Sequence, residues 1–205
     1  MKFIFPILFL IYLPVKAQKT TQHSFEADDI QKIVLAGDEI YRIELKSVKG
    51  DQIRIFASTE GEYYNNISLD HEIKEQSLFI NSRFREILQN GYDKLSAHKV
   101  FSMEVTVEIP QGMALEISSN IANVYITGAF ENVLIQLKSG SCQFSDYSGE
   151  AVVNTYTGNI TGEVAPAEFE VSSRHGEVQV PPNTYGMHKM VLTSINGDIK
   201  LSETK

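Results

Sequence analysis

The sequence reads Gly158-Asn159-Ile160-Thr161-Gly162 and, 18 residues later, Gly176-Glu177-Val178-Gln179-Val180. Each string starts with a glycine and continues with a polar, an apolar and a polar residue. Three further strings follow the same order from a small residue: Ala122-Asn123-Val124-Tyr125-Ile126, Gly140-Ser141-Cys142-Gln143-Phe144 and Gly197-Asp198-Ile199-Lys200-Leu201. The first four strings along the chain begin 18 residues apart, and the fifth follows after 21. An internal repeat therefore organises residues 122–201.

Two more apolar positions recur seven and five residues before each string. Such alternation with a period of two predicts short strands with one buried face, joined at a corner that contains the glycine. We expect the corner glycines to adopt positive φ. A coil of two short strands cannot bury its apolar face alone, whereas stacked coils align these positions into columns. The ten residues predicted to point inward are Leu115, Val133, Ala151, Phe169 and Met190 in one column and Ile117, Ile135, Val153, Val171 and Leu192 in the other. The predicted fold class is all-β, a parallel β-solenoid with coils of about 18 residues.

Residues 18–110 continue the strand pattern without the period. Residues 40–55 resemble one degenerate coil, and Phe101 to Ile109 alternate apolar and polar residues as one strand would. This part is predicted to be an irregular β cap region, either a sandwich-like unit or the early turns of the same stack. The predicted division is thus an N-terminal part over 18–110 and solenoid repeats over 111–205.

Residues 1–17 have the features of an export signal. Lys2 precedes an apolar run from Phe3 to Val15, and Val15-Lys16-Ala17 resembles a cleavage site. The 13 residues of this run fall short of the roughly 20 that a membrane-spanning helix requires. We expect cleavage near Ala17 and a periplasmic or secreted protein. No cysteine follows the site to carry a lipid, so no stable membrane anchor is predicted.

The composition argues against several classes of function. The chain has 18 Lys and Arg against 26 Asp and Glu, a net charge of −8 at pH 7 that falls to −10 if Lys2 and Lys16 leave with the signal. This balance repels phosphate, and no basic stripe is present, so nucleic acid is not a predicted partner. Cys142 is the one cysteine, which excludes an intramolecular disulfide. Its position in an inward column predicts a buried, unreactive thiol.

No motif typical of catalysis or metal binding occurs in the sequence. Asp70-His71-Glu72 is the densest titratable cluster, but in a strand the two acids face one side and the histidine the other. The polar residue after each corner repeats as a ladder of oxygen-bearing side chains, yet the motif of calcium-binding solenoids is missing. The chain is therefore predicted not to be an enzyme and to have no metal site and no cofactor.

Two features are candidates for binding a partner. The first is a predicted outward ladder of uncharged polar residues that could bind glycan: Ser118, Gln136, Asn154, Ser172 and Thr193. The second is residues 82–99, where Phe84, Ile87 and Leu88 have the spacing of a short helix. This segment either presents a binding surface or covers a sheet edge. Its predicted binding residues are Arg83, Phe84, Arg85, Tyr92 and Lys94.

The order of these features resembles the bacterial putative adhesin family, also called head GIN or putative auto-transporter adhesin domains. The resemblance rests on a strand that ends at Ile109-Pro110-Gln111-Gly112, on Leu115-Glu116-Ile117-Ser118-Ser119, and on the repeated units from Ala122 onward. It covers roughly residues 30–201. It implies an exported parallel β-solenoid at the cell envelope and brings no catalytic residues with it.

The predicted function is that of a non-catalytic, exported envelope protein. Its solenoid would present a surface for adhesion or for binding glycan, peptide or another envelope protein. Two alternatives remain at this stage: a carbohydrate-active enzyme built on a β-helix, and a structural or stress-response component of the envelope. The oligomeric state is open.

Overall fold

The structure is a computed structural model that describes residues 18–61, 67–84, 101–185 and 187–204. The predicted export signal lies outside these residues. The described chain forms one 15-stranded sheet, which confirms the all-β prediction. The strands are β1 (Gln18–Glu26), β2 (Lys32–Ala36), β3 (Ile40–Val48), β4 (Gln52–Gly61), β5 (Ile67–Lys74), β6 (Ser77–Phe84), β7 (Phe101–Pro110), β8 (Ala114–Ser119), β9 (Asn123–Ser139), β10 (Cys142–Thr157), β11 (Ile160–Val164), β12 (Ala167–Ser173), β13 (Val178–Gln179), β14 (His188–Asn196) and β15 (Ile199–Glu203).

The strands pair in two rows. Row A follows the order β1-β4-β7-β3-β9-β10-β11-β15-β13, and row B follows β5-β6-β2-β8-β9-β10-β14-β12. The long strands β9 and β10 belong to both rows: their first halves pair in row A and their second halves in row B. Inward side chains of both rows form one hydrophobic core. A coil is thus one strand of row B, a corner, and one strand of row A.

The sheet is mixed, so a wholly parallel β-solenoid is not confirmed. Pairings along the repeat region are parallel, from β8–β9 to β13–β15. By contrast, β4 pairs antiparallel with β1 and with β7, and β5 pairs antiparallel with β6. These antiparallel strands all lie toward the N-terminal end of the two rows.

The first predicted inward column is confirmed, but the coils do not stack in chain order. Ala151 pairs with Val133 on one side and with Met190 on the other, and Met190 also pairs with Phe169. All four residues are buried, as is Leu115 at the next rung. The coil of β14 and β15 therefore lies between the coil of β10 and β11 and the coil of β12 and β13. The coil of β12 and β13, although earlier in the chain, forms the end of the stack.

The predicted degenerate coil over residues 40–55 is wrong. Its second half, with Ile53 and Ile55, belongs to β4, which pairs antiparallel with β7. Only residues 49–51 connect β3 to β4, and a parallel return needs a crossover of about a dozen residues or more, so the chain reverses instead. The coil that continues the stack comes earlier: Ile33 of β2 pairs with Leu115, and Ile43 of β3 pairs with Val124.

The four corner glycines are all closely packed against a neighbouring corner, but only two of them have a positive φ. Gly140 and Gly158 have φ of +130° and +156°, as predicted, whereas Gly176 and Gly197 do not have positive φ. At all four, however, an added Cβ would lie closer than 3.0 Å to a backbone oxygen of the neighbouring corner. The contacts run Ala122, Gly140, Gly158, Gly197, Gly176, the same order of coils that the strand pairing shows.

Candidate ligand-binding groove

The polar ladder that follows the corners is occupied by bonds between coils. The Asn123 Oδ1 accepts the backbone N–H of Ser141 at 2.9 Å, and the Ser141 Oγ accepts that of Asn159 at 3.3 Å. The Asn159 Oδ1 then accepts the N–H of Asp198, and the Asp198 Oδ1 that of Glu177, both at 2.9 Å. We call these five residues the corner ladder. Its oxygens hold the coils together.

A second polar ladder borders an open groove on the outside of row B. Ser118 pairs with Gln136, Gln136 with Asn154, and Asn154 with Thr193, so the four side chains stand on consecutive rungs about 4.8 Å apart. They line a groove with a volume of about 780 Å³. Their side chains form no hydrogen bond within the described part of the chain. We call this site the ladder groove.

The opposite wall of the ladder groove consists of the residues two positions before four of the five corners. Arg174, which holds this position before Gly176, is not among the residues that line the groove. Tyr156 is the most prominent of the four, with 59% of its surface exposed. Lys138 stands on the next rung, where it forms no ion pair with any described residue. Residues that complete this wall are Asn120 and Ile195. The wall thus combines an aromatic ring, a cation and an amide.

The residues between the two walls are buried, and their polar atoms are already bonded within the protein. The Ser119 Oγ donates to the Gly37 carbonyl at 2.6 Å, and the Thr155 Oγ1 donates to the Gly158 carbonyl at 3.0 Å. Leu137 lies between them and is buried. A ligand would therefore find its hydrogen-bonding partners among the outward side chains of the two walls.

The groove contains one carboxylate among its described lining residues. Asp38 stands at the end that Asn120 also borders, and its Oδ1 accepts the Asn120 N–H at 3.2 Å. Cys142 is elsewhere, buried in the predicted column beside Val124 and Ile160, where burial raises the pKa of its thiol far above the ordinary range. The described lining of the groove therefore offers hydrogen-bonding groups, one aromatic ring, one cation and one carboxylate.

Of the predicted binding residues of the 82–99 segment, only Arg83 is fully described, and it does not line this groove. Arg83 lies on β6, and its Nη2 pairs with the Asp70 Oδ2 at 2.9 Å. Phe84 ends β6, so the predicted helix does not begin there, and its side chain is outside the described part. Arg85, Tyr92 and Lys94 also lie outside the described residues. Their role in binding stays a prediction.

The Asp70-His71-Glu72 cluster is divided as the strand pattern predicted. Asp70 is held by Arg83, whereas the His71 ring contacts the His23 ring at 4.7 Å and the Phe25 ring at 5.0 Å between centroids. Within residues 18–61, 67–84, 101–185 and 187–204, no three His, Cys, Asp or Glu side chains gather in a way that could hold a metal ion. The same residues contain no helix long and apolar enough to cross a membrane.

Tyr156 and Lys138 were missed by the sequence analysis, although the repeat carried a signal for them. Both precede a corner glycine by two residues, and the polar ladder residues Gln136 and Asn154 precede the same glycines by four. Residues two apart on a strand face the same side. The repeat thus places a second outward column beside the polar ladder. Its side chains vary from rung to rung, which concealed it.

The fold is similar to that of a solved bacterial protein. The structure described as a putative cell adhesion protein from Clostridium sporogenes superimposes with a TM-score of 0.65, covering 91% of this chain and 100% of that one at 9% sequence identity. The two proteins share a fold. The resemblance to the putative adhesin family is therefore confirmed at the level of the fold.

Other comparisons add less. A putative adhesin from Bacteroides fragilis gives a TM-score of 0.39 at 12% identity, covering 90% of this chain and 97% of that one. A putative lipid binding protein from Parabacteroides distasonis gives 0.27 at 10% identity, covering 89% and 96%. Both scores are too low to support an argument. No family model and no curated protein matches the chain.

Proposed function

We propose that this chain is a non-catalytic, exported protein of the bacterial envelope that binds glycan in the ladder groove. Export rests on the signal-like pattern of residues 1–17. The stacked coils over residues 114–203 would act as a solenoid that holds the groove walls rigid, because the strands β8, β9, β10 and β14 that carry most wall residues are paired on both sides.

The observation that carries the proposal is the contrast between the two ladders. The corner ladder uses its oxygens to bind neighbouring coils, whereas Gln136, Asn154 and Thr193 of the ladder groove offer donors and acceptors that nothing in the described chain occupies. Sugars present many hydroxyls and a less polar ring face. Free amides and hydroxyls can hydrogen-bond the sugar hydroxyls, and the exposed ring of Tyr156 can pack against the less polar ring face.

The alternative of a carbohydrate-active enzyme has less support in this groove. Glycoside hydrolysis generally uses two carboxyl groups, on either side of the scissile bond. Asp38 is the one carboxylate among the described lining residues, and it accepts a backbone N–H at the end of the groove. Binding without turnover is the function that this set of side chains supports best.

Replacing Tyr156 with alanine tests the proposal. We expect Tyr156→Ala to weaken glycan binding at least about tenfold, because exposed aromatic residues in binding sites concentrate affinity. Glycan arrays would identify ligands for the wild type, and calorimetric titration would measure the variants. Tyr185→Ala is the matched control, since Tyr185 is 77% exposed but lies in the loop after β13. A wild type that binds no glycan, or equal affinities for both variants, would contradict the proposal.

A further inference from the structure

The cations on the surface of this acidic protein are mostly matched by carboxylates. Lys32 pairs with Glu116 at 2.6 Å, and Lys189 pairs with Glu170 at 2.9 Å. Lys200 lies between Asp198 and Glu177, at 2.8 and 3.1 Å. Each pair neutralises a lysine on the outside of the stack. Such a lysine offers little to an external anion.

Lys138 is one of the described cations without such a partner, and it stands at the centre of the ladder groove. It forms no ion pair within the described chain, and it is the one cation among the described residues that line the groove. The neighbouring rungs of its wall carry Asn120 and Tyr156, which are uncharged. Across the groove stand the amides of Gln136 and Asn154. An ammonium group here faces a ligand without competition from an adjacent carboxylate.

The rest of the groove limits how much negative charge a ligand can bring. Asp38 borders the same groove two rungs from Lys138, which corresponds to about 10 Å along the stack. The whole chain has a net charge of −8. A ligand with a carboxylate on every sugar would place one near Lys138 and others near Asp38, where like charges repel.

We infer that the ladder groove selects a largely neutral glycan that carries an isolated carboxylate sugar, and that Lys138 binds this carboxylate. The inference rests on the proposed function and specifies its ligand class. Lys138 acts as the specificity-determining residue, whereas Tyr156 and the polar ladder hold the neutral sugars. Asp38 discriminates against polyanions.

Three linear tetrasaccharides of the same linkage test this inference: one with a single uronic acid, its methyl ester, and one with four uronic acids. The set of three would be prepared and titrated once for each of several linkages, with one linkage throughout a set. We expect wild type to bind the mono-acid about fivefold more tightly than the ester, the scale of one exposed ion pair, and the tetra-acid no more tightly than the mono-acid. Raising the salt from about 0.05 to 0.5 M should reduce the preference, because salt screens exposed charges.

Variants assign the preference to Lys138. Lys138→Gln should bind acid and ester equally, and Lys138→Arg should retain the preference. Lys49→Gln is the matched control. Lys49 is exposed in the turn between β3 and β4, and its substitution removes the same charge at a distance from the groove. The inference is overturned if wild type does not distinguish acid from ester, if Lys138→Gln still does, or if the tetra-acid binds more tightly than the mono-acid.

The same experiment separates the inference from the proposed function. If Tyr156→Ala loses all three sugars while Lys138→Gln changes none of the affinities, glycan binding in the groove stands and the charge selection is wrong. Binding of no tetrasaccharide in any linkage overturns both.

Discussion

Single atoms at the corners decide how closely the coils stack. Gly197 does not have a positive φ, so its own backbone would tolerate a side chain. A Cβ there would nevertheless lie closer than 3.0 Å to the carbonyl carbon and oxygen of Gly158. These are backbone atoms of the corner between β10 and β11, whose Gly158 N–H donates to the Asn196 carbonyl of the next coil at 3.0 Å, so they cannot move without separating the two coils. Contact with the next coil therefore requires glycine at this position.

Two glycine substitutions distinguish contact from backbone strain. Gly197→Ala should destabilise the protein by about 2 to 3 kcal/mol, because an extra methyl in a tightly packed site forces the backbone apart. Gly112→Ala should cost about 1 kcal/mol, since Gly112 has φ of +79° but open space around its Cα. Urea unfolding followed by circular dichroism measures both. Equal losses would show that the corners are not set by contact between coils.

The inward residues could be predicted from the sequence. The sequence could not, however, distinguish the polar residues that line the ladder groove from those of the corner ladder, which bond neighbouring coils. Period-two alternation identifies Val133 and Ile135 as buried because strand geometry alone determines which face they share. The same alternation identifies both Asn159 and Asn154 only as outward polar residues. They differ only in what the next rung offers: Asn159 faces the N–H of Asp198, whereas Asn154 faces solvent and the groove.

The corner ladder joins the strands of row A through charged as well as neutral groups. Asp198 accepts a hydrogen bond from the Lys200 ammonium group, and it also accepts the backbone N–H of Glu177. These bonds, that of Lys200 first, lower the pKa of the Asp198 carboxyl below its ordinary value. The ladder thus couples the pairing of β13 and β15 to the ionisation of one side chain.

This coupling predicts the behaviour of Asp198 in acid. A carboxyl with a lowered pKa in the folded state adds stability above its unfolded pKa of about 4 and loses it as pH falls through the folded value. NMR titration should place the Asp198 pKa below that of a free aspartate in wild type, and Lys200→Gln should raise it. An Asp198 pKa that Lys200→Gln leaves unchanged would contradict the assignment of Lys200 as the main cause.

The order of the coils is a property of the whole molecule that the repeat does not encode. Every coil offers apolar residues to the same columns, so the pattern is equally satisfied by several stacking orders. The one feature of the sequence that pointed to a different stacking order was the spacing of 21 residues between Gly176 and Gly197. A loop that begins at Pro181 accounts for the longer spacing. In the structure this loop runs back along the edge of β12, where the Asn183 Oδ1 accepts the Phe169 N–H at 2.8 Å and the Thr184 N–H donates to Ala167 O at 2.9 Å.

The same order gives the last coil an interior position. β14 pairs with both β10 and β12, and β15 pairs with both β11 and β13. The coil of β12 and β13 has a neighbour on one side only, and Val178 at its end is 46% exposed. If the coils stacked in chain order, the C-terminal coil would be the terminal one, and its removal would cost the least stability. The structure makes the preceding coil expendable instead.

Two deletions of similar size test this order. Removing residues 188–205 strips the pairing partners from four strands and withdraws Met190, Leu192 and Ile199 from the core, at roughly 1.5 to 3 kcal/mol for each buried side chain. We expect this variant to lose cooperative unfolding or to aggregate. Removing residues 167–187 and joining Pro166 to His188 leaves the corners Ala122, Gly140, Gly158 and Gly197 stacked in chain order, with the new connection climbing one rung. This variant should keep its β circular dichroism spectrum and a cooperative urea transition. If instead the first deletion were tolerated and the second unfolded the protein, the coils would stack in chain order and the interior position of the last coil would be wrong.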